Sequence, residues 1–103
     1  MDDQEIRTLL APYRARIDAL DKQIIDLLRQ RYDVIEEVGD LKMRKGIAPV
    51  LQYRVDEVRE NAARMAAEQG LDEGFIRDLY ARLIEHSCDL EDKIRKAHAK
   101  KAS

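Results

Sequence analysis

Apolar side chains recur at intervals of three and four residues along the first part of the chain. The positions of this seam are Ile6, Leu10, Tyr13, Ile17, Leu20, Ile24, Leu27, Val34, Val38 and Leu41. The spacing is typical of an amphipathic helix of the coiled-coil type. Pro12 fits the first turn of a helix, and Gly46 is a helix terminator. Gly39 within this span either weakens the helix or permits close packing. The pattern predicts a continuous helix from about residue 12 to about residue 45.

Two further helices are predicted after a loop at residues 46–51 that contains Pro49. The second helix covers about residues 52–69 and ends at Gly70. Asp72 is a favoured N-cap for the third helix, which keeps the three-to-four spacing almost to the end of the chain. The sequence therefore predicts an all-α fold with three helices per chain, in one domain spanning residues 1–103.

The length of the first helix bears on assembly. A helix of roughly 33 residues is about 50 Å long at 1.5 Å per residue. A compact domain of 103 residues has a diameter of only roughly 33 Å. A partner chain must therefore cover the apolar seam, and the simplest arrangement is an intertwined helical homodimer. A non-enzymatic helical dimerisation module would show the same pattern.

Composition excludes several classes of protein and site. The 19 basic and 21 acidic residues are interspersed, which predicts no surface for nucleic acid or an anionic membrane. No apolar stretch approaches the roughly 20 residues of a membrane span. Cys88 is the only cysteine, and the first residues do not resemble a signal peptide, so we expect a cytoplasmic protein. His86 and His98 lack metal-ligand spacing and there is no glycine-rich phosphate loop, so neither metal nor cofactor is predicted.

Basic residues interrupt the apolar pattern of the first helix. Arg31 occupies the seam position between Leu27 and Val34, where a buried guanidinium needs an anionic partner. Lys42 follows 11 residues later, about three turns on and within about 20° of the same face, so the two cations could flank one groove for a small anion. Arg14 is rotated from that face by about 100°, which favours a role in the other protomer's site. For one isolated charge, an internal ion pair with Glu or Asp, or an arginine whose charged end reaches the edge of the seam, is usually the better explanation.

The third helix carries a hydroxyl and a carboxyl in an otherwise apolar row. Ser87 and Glu91 are four residues apart and therefore lie on one face. Glu91 could instead form a salt bridge with Arg31 or Lys42. Ser87 could be a small packing residue bonded to its own helix backbone.

These residues together resemble the small all-helical chorismate mutases, over nearly the whole chain. The matching segments are residues 13–21, 28–31, 38–42, 49–55 and 83–91. The positions that match the family's substrate site are Arg14, Arg31, Lys42, Gln52, Arg54, Val55, Ser87 and Glu91.

The resemblance implies a pericyclic rearrangement of chorismate to prephenate, without a cofactor and without a covalent intermediate. Arg14 from one chain and Arg31 from the other would clamp the two carboxylates of the substrate. Lys42 would hold a carboxylate and donate to the ether oxygen as the C–O bond breaks. Arg54 matches a site arginine of the second helix, and Ser87 would line the carboxylate end.

Three positions depart from the family's usual pattern. Glu91 stands where Gln is common, and it must be protonated to donate a hydrogen bond. Gln52 stands where Asp is common, and Val55 where many members carry an acidic residue that grips the ring hydroxyl. With Val55 at this position the chain resembles the isochorismate-pyruvate lyases and the aminodeoxychorismate mutases. The aminodeoxychorismate mutases also carry Glu at the position of Glu91. Chorismate is the first predicted substrate, and the substrates of these two relatives are the alternatives.

Overall fold

The computed structural model describes residues 1–102, which form three α-helices and no strand. Helix α1 spans Asp3–Lys45, α2 spans Gln52–Glu68 and α3 spans Glu73–Ala102. The predicted all-α fold with three helices, the first of them long, is confirmed. The chain divides into two compact units, one made of residues 1–33 and the other of the residues from 34 onward.

The first unit is helical almost from its start. The carboxylate of Asp2 accepts a hydrogen bond from the Glu5 N–H at 2.8 Å, as an N-cap residue does. Acidic residues in the first turn, Asp3 and Glu5, also favour a helix beginning there. The prediction that α1 begins near Pro12 is therefore wrong. Pro12 lies inside the helix, where it removes one backbone hydrogen bond.

The apolar seam of the first unit is exposed in the single chain. The exposed fractions of its large side chains range from 36 to 61%. These side chains are Ile6, Leu10, Tyr13, Ile17, Leu20, Ile24 and Leu27. Contiguous exposed apolar patches mark interaction surfaces in soluble proteins.

In the second unit, α2 packs against α3 through small side chains. The buried apolar residues are Ala62, Ala63 and Ala66 of α2 and Ile84 of α3. Helix axes approach more closely where the contact side chains are small. A bidentate ion pair also joins the two helices, in which Arg77 Nε and Nη2 donate to the Glu60 carboxylate at 3.0 and 2.9 Å.

Glycine and aspartate set the helix ends in this unit. Gly46 and Gly70 have φ of +69° and +72°, a conformation that glycine adopts without strain. After each of them a backbone N–H bonds back into the helix, Ile47 to Lys42 O and Leu71 to Ala66 O, both at 2.8 Å. The Asp72 carboxylate accepts the Phe75 N–H at 2.8 Å and caps α3. The predicted helix stops and the Asp72 cap are confirmed.

Candidate active site

A buried ion pair joins α1 to α3. Lys42 Nζ lies 2.7 Å from Glu91 Oε1, and the two side chains are only 17% and 6% exposed. Lys42 comes from the last turn of α1, and Glu91 from the middle of α3. A charged carboxylate is tolerated at such low exposure when a cation lies in contact with it. Of the two salt-bridge partners considered for Glu91, the structure shows this contact with Lys42.

Lys42 also holds the loop that follows α1. Its Nζ donates a hydrogen bond to the carbonyl oxygen of Pro49 at 3.0 Å. An ammonium group has three N–H donors, and these two contacts use at most two of them. A hollow of about 390 Å³ opens beside Lys42, with Ile47, Pro49 and Arg95 in its wall. The ammonium is therefore held in place and can still donate to one further acceptor.

Ser87 lies one turn before Glu91 on α3 and is 3% exposed. Its Oγ donates to the carbonyl oxygen of Leu83 at 2.8 Å, so the expected bond to its own helix is confirmed. The hydroxyl oxygen also has acceptor lone pairs. Ser87 therefore places a small polar group beside Glu91 without adding charge.

The positions at the start of α2 line a groove of about 290 Å³ against α3. Gln52 and Val55 face it from α2, and Glu85 and Asp89 face it from α3. Arg59 lines the same groove, one turn after Val55, and its Nε is buried without a hydrogen-bond partner among residues 1–102. Sequence reasoning did not single out Arg59. The sequence signal that could have identified Arg59 is its position four residues after Val55, which places both side chains on one face of α2.

The three remaining predicted residues lie in different surroundings. Arg14 and Arg31 belong to the first unit, where Arg14 is exposed and Arg31 is half-buried. Arg54, on α2, is exposed and forms an ion pair with Glu57, one turn further along the helix. In the second unit, then, the structure brings Lys42 and Glu91 into direct contact, whereas Arg54 engages an acid of its own helix.

Two surface carboxylates next to these elements are held ionised by their neighbours. Hydrogen bonds from Arg95 and Lys96 lower the pKa of Asp92 below its ordinary value. The hydrogen bond from Arg77 lowers the pKa of Glu60 in the same way. Arg95 is thus already paired where it faces the hollow beside Lys42.

Residues 1–102 contain neither a metal-binding cluster nor a membrane-spanning helix. No cluster of three or more His, Cys, Asp or Glu side chains there is arranged to hold a metal ion. No helix in that range is both long enough and apolar enough to cross a membrane.

Comparison with known proteins gives a family match and several relatives. The model of the family described as chorismate mutase type II matches residues 13–92. A 4-amino-4-deoxychorismate mutase of Streptomyces pristinaespiralis is 39% identical over 80 residues, which cover 78% of this chain and 62% of that protein. The chain thus spans less than two thirds of the length of that relative.

Two other relatives are matched over more of their length. A 4-amino-4-deoxychorismate mutase of Streptomyces venezuelae is 40% identical over 81 residues, 79% of each chain. An isochorismate pyruvate lyase of Pseudomonas aeruginosa is 33% identical over 84 residues, 82% of each chain.

Proposed function

The chain belongs to the chorismate mutase type II family, and on that basis we propose that it catalyses the pericyclic rearrangement of a chorismate-type dicarboxylate. In this reaction the C–O bond of an enolpyruvyl ether breaks while a C–C bond forms in the same molecule. We propose 4-amino-4-deoxychorismate as the substrate and chorismate as the second candidate.

The buried pair of Lys42 and Glu91 is the observation that carries this proposal. A pericyclic rearrangement needs no nucleophile, and the enzyme contributes by holding the reacting geometry and stabilising the charge that develops on the ether oxygen. Lys42 Nζ is fixed by contacts to Glu91 and Pro49 and retains a donor for that oxygen. Fixed donors of this kind are more effective at low exposure than in water.

Glu91 has the second part in the mechanism. Its carboxyl contacts Lys42, and a bound dianion would bring further negative charge to the same place. In the proposed complex Glu91 is protonated, and its O–H donates to the ether oxygen.

The other residues of the proposed site bind the substrate. Arg31, with Arg14 from the partner chain, holds the two carboxylates, and Arg54 joins them after leaving Glu57. Further contacts to the substrate come from Gln52, Val55 and Ser87. The exposed apolar seam of the first unit supports the homodimer that this arrangement requires.

Two observations support the amino-substituted substrate. The two Streptomyces relatives at 39 and 40% identity bear the name of that activity. Val55 offers no carboxylate to a ring hydroxyl, while Glu85 and Asp89 line the same groove. Glu85 is paired with Arg82 and the cation Arg59 lines the groove as well, so the missing carboxylate at Val55 is the structural feature that favours this substrate. The family match supports chorismate as the second candidate.

Parallel assays with three substrates test the proposal. The purified protein is incubated with 4-amino-4-deoxychorismate, chorismate or isochorismate, while loss of substrate and formation of pyruvate are followed. We expect the first to be consumed fastest, without pyruvate release. Lys42→Met should abolish turnover, and Lys45→Met, at an exposed lysine of the same helix turn, should not. Pyruvate from isochorismate alone would identify a lyase, and an inert protein would favour a dimerisation module.

A further inference from the structure

Gly39 is the only buried residue of α1. It lies against α3 at the level of Glu91 and Ile94. A Cβ atom at position 39 would lie 2.9 Å from Ile94 Cδ1, 3.3 Å from Glu91 Cγ and 3.4 Å from Glu91 Cα. The backbone of α1 therefore approaches α3 at a point where a methyl group meets both a side chain and the helix backbone.

The crowding at Gly39 reaches the buried ion pair. Lys42 follows Gly39 by three residues and Ile94 follows Glu91 by three, so each pair occupies one helix face. Ile94 Cδ1 is the end of a flexible side chain and can rotate away. Glu91 Cγ carries the carboxyl carbon itself, so displacing it moves the carboxylate that contacts Lys42.

We infer that Gly39 is a positioning residue for the reaction, because its lack of a side chain sets where the Glu91 carboxyl lies relative to the Lys42 ammonium. The inference rests on the proposed function, in which both groups act on the ether oxygen. A methyl group at position 39 would displace Glu91 Cγ by a few tenths of an ångström. Misplacement of about 1 Å can lower a rate by about 100-fold, so this smaller shift should lower kcat by about tenfold.

A purely structural role for Gly39 makes a different prediction, and a second substitution separates the two. Ile94→Val removes Cδ1 and with it the shortest contact, but leaves both contacts to Glu91. If Gly39 served packing alone, Gly39→Ala should do no harm in the Ile94→Val background. Gly74→Ala is the matched control, because the added Cβ there would meet only Asp72 Oδ1, at 3.3 Å.

Steady-state kinetics and thermal unfolding form the first test. We expect Gly39→Ala/Ile94→Val to have a kcat about tenfold below that of Ile94→Val, with KM within about twofold, as for an interaction made in the transition state. Its Tm should stay close to that of Ile94→Val, because the higher helix propensity of Ala offsets the remaining contact with Glu91. Gly74→Ala should keep wild-type kcat. An active protein in which the double variant matches Ile94→Val in kcat would overturn the inference.

Carboxyl ¹³C NMR supplies a readout that does not depend on turnover. The Glu91 resonance is identified in ¹³Cδ-glutamate-labelled protein as the signal lost in Glu91→Gln. We expect it to move in Gly39→Ala/Ile94→Val relative to Ile94→Val, and to stay in place in Gly74→Ala. An unmoved resonance overturns the inference even if the wild-type protein is inactive. A wild-type protein that consumes none of the three substrates refutes the proposed function instead.

Discussion

Breaking the Lys42–Glu91 pair from the lysine side should destabilise the protein strongly. Lys42→Met keeps an apolar stem of similar length but removes the ammonium that lies 2.7 Å from Glu91 Oε1. Glu91 is then left at 6% side-chain exposure without that cation. Removing one member of a buried ion pair typically costs about 3–5 kcal/mol, because the remaining charge is buried and uncompensated.

A second substitution tests whether this loss comes from the buried charge of Glu91. Glu91→Gln removes that charge while keeping the size of the side chain. The double variant should therefore be less destabilised than the two single costs added together, by about 0.5–3 kcal/mol, as for residues in direct contact.

Unfolding in guanidinium chloride measures these changes in the free energy of unfolding. The protein concentration is held fixed, because association with a second chain would otherwise change the apparent stability. Lys45→Met, at an exposed position three residues further on, is the control and should change the unfolding free energy by less than about 0.5 kcal/mol. If Lys42→Met costs less than about 1 kcal/mol, the pair does not hold a buried charge and the reasoning fails.

Three further predictions concern turnover, pH and assembly. Glu91→Gln should preserve turnover, because an amide N–H can donate to the ether oxygen as the proposed Glu91 O–H does, and loss of turnover in this variant would remove Glu91 from the donor role. The hydrogen bond from Arg77 lowers the pKa of Glu60 below its ordinary value of 4.5. Their contact should therefore stabilise the protein above that pH and be lost as the pH falls through the lowered value, so Glu60→Gln should weaken the acid dependence of unfolding. Co-refolding inactive Arg14→Ala and Arg31→Ala chains should restore about a quarter of wild-type activity, because about half of the dimers are mixed and each mixed dimer regains one of its two sites. Mixing the two proteins without unfolding is the control. If co-refolding restores no activity, both arginines of a site come from the same chain.

The helices could be predicted from the sequence because their determinants are local. Apolar spacing gave three helices, and Gly46, Gly70 and Asp72 marked ends that the structure confirms. The predicted start of α1 was wrong, and the reason is also local. Proline is most favourable in a first turn, but the Asp2 cap and nearby acids begin the helix earlier, and a single interior proline is tolerated there.

The candidate site could be predicted only in part. Lys42 and Glu91 stood out because each interrupts an apolar face, and buried charges seek each other. Arg59 was missed, since its buried Nε depends on how α2 and α3 are placed against each other. Sequence identified Gly39 as a weak point or a close contact. The residue that Gly39 contacts, Glu91, could not be predicted in this way. That contact depends on the register between α1 and α3, and the spacing of residues along one helix carries no information about this register.

Charge balance explains why the proposed site needs arginines in addition to Lys42. Lys42 and ionised Glu91 together carry no net charge, so this pair alone offers a dianion no net attraction. Protonation of Glu91 releases one positive charge, on Lys42, against two negative charges on the substrate. At least one more cation must therefore face the ligand, and Arg14 and Arg31 are the proposed sources. A dimer that brings in Arg14 would thus complete the charge of the site as well as cover the apolar seam, which couples assembly to substrate binding.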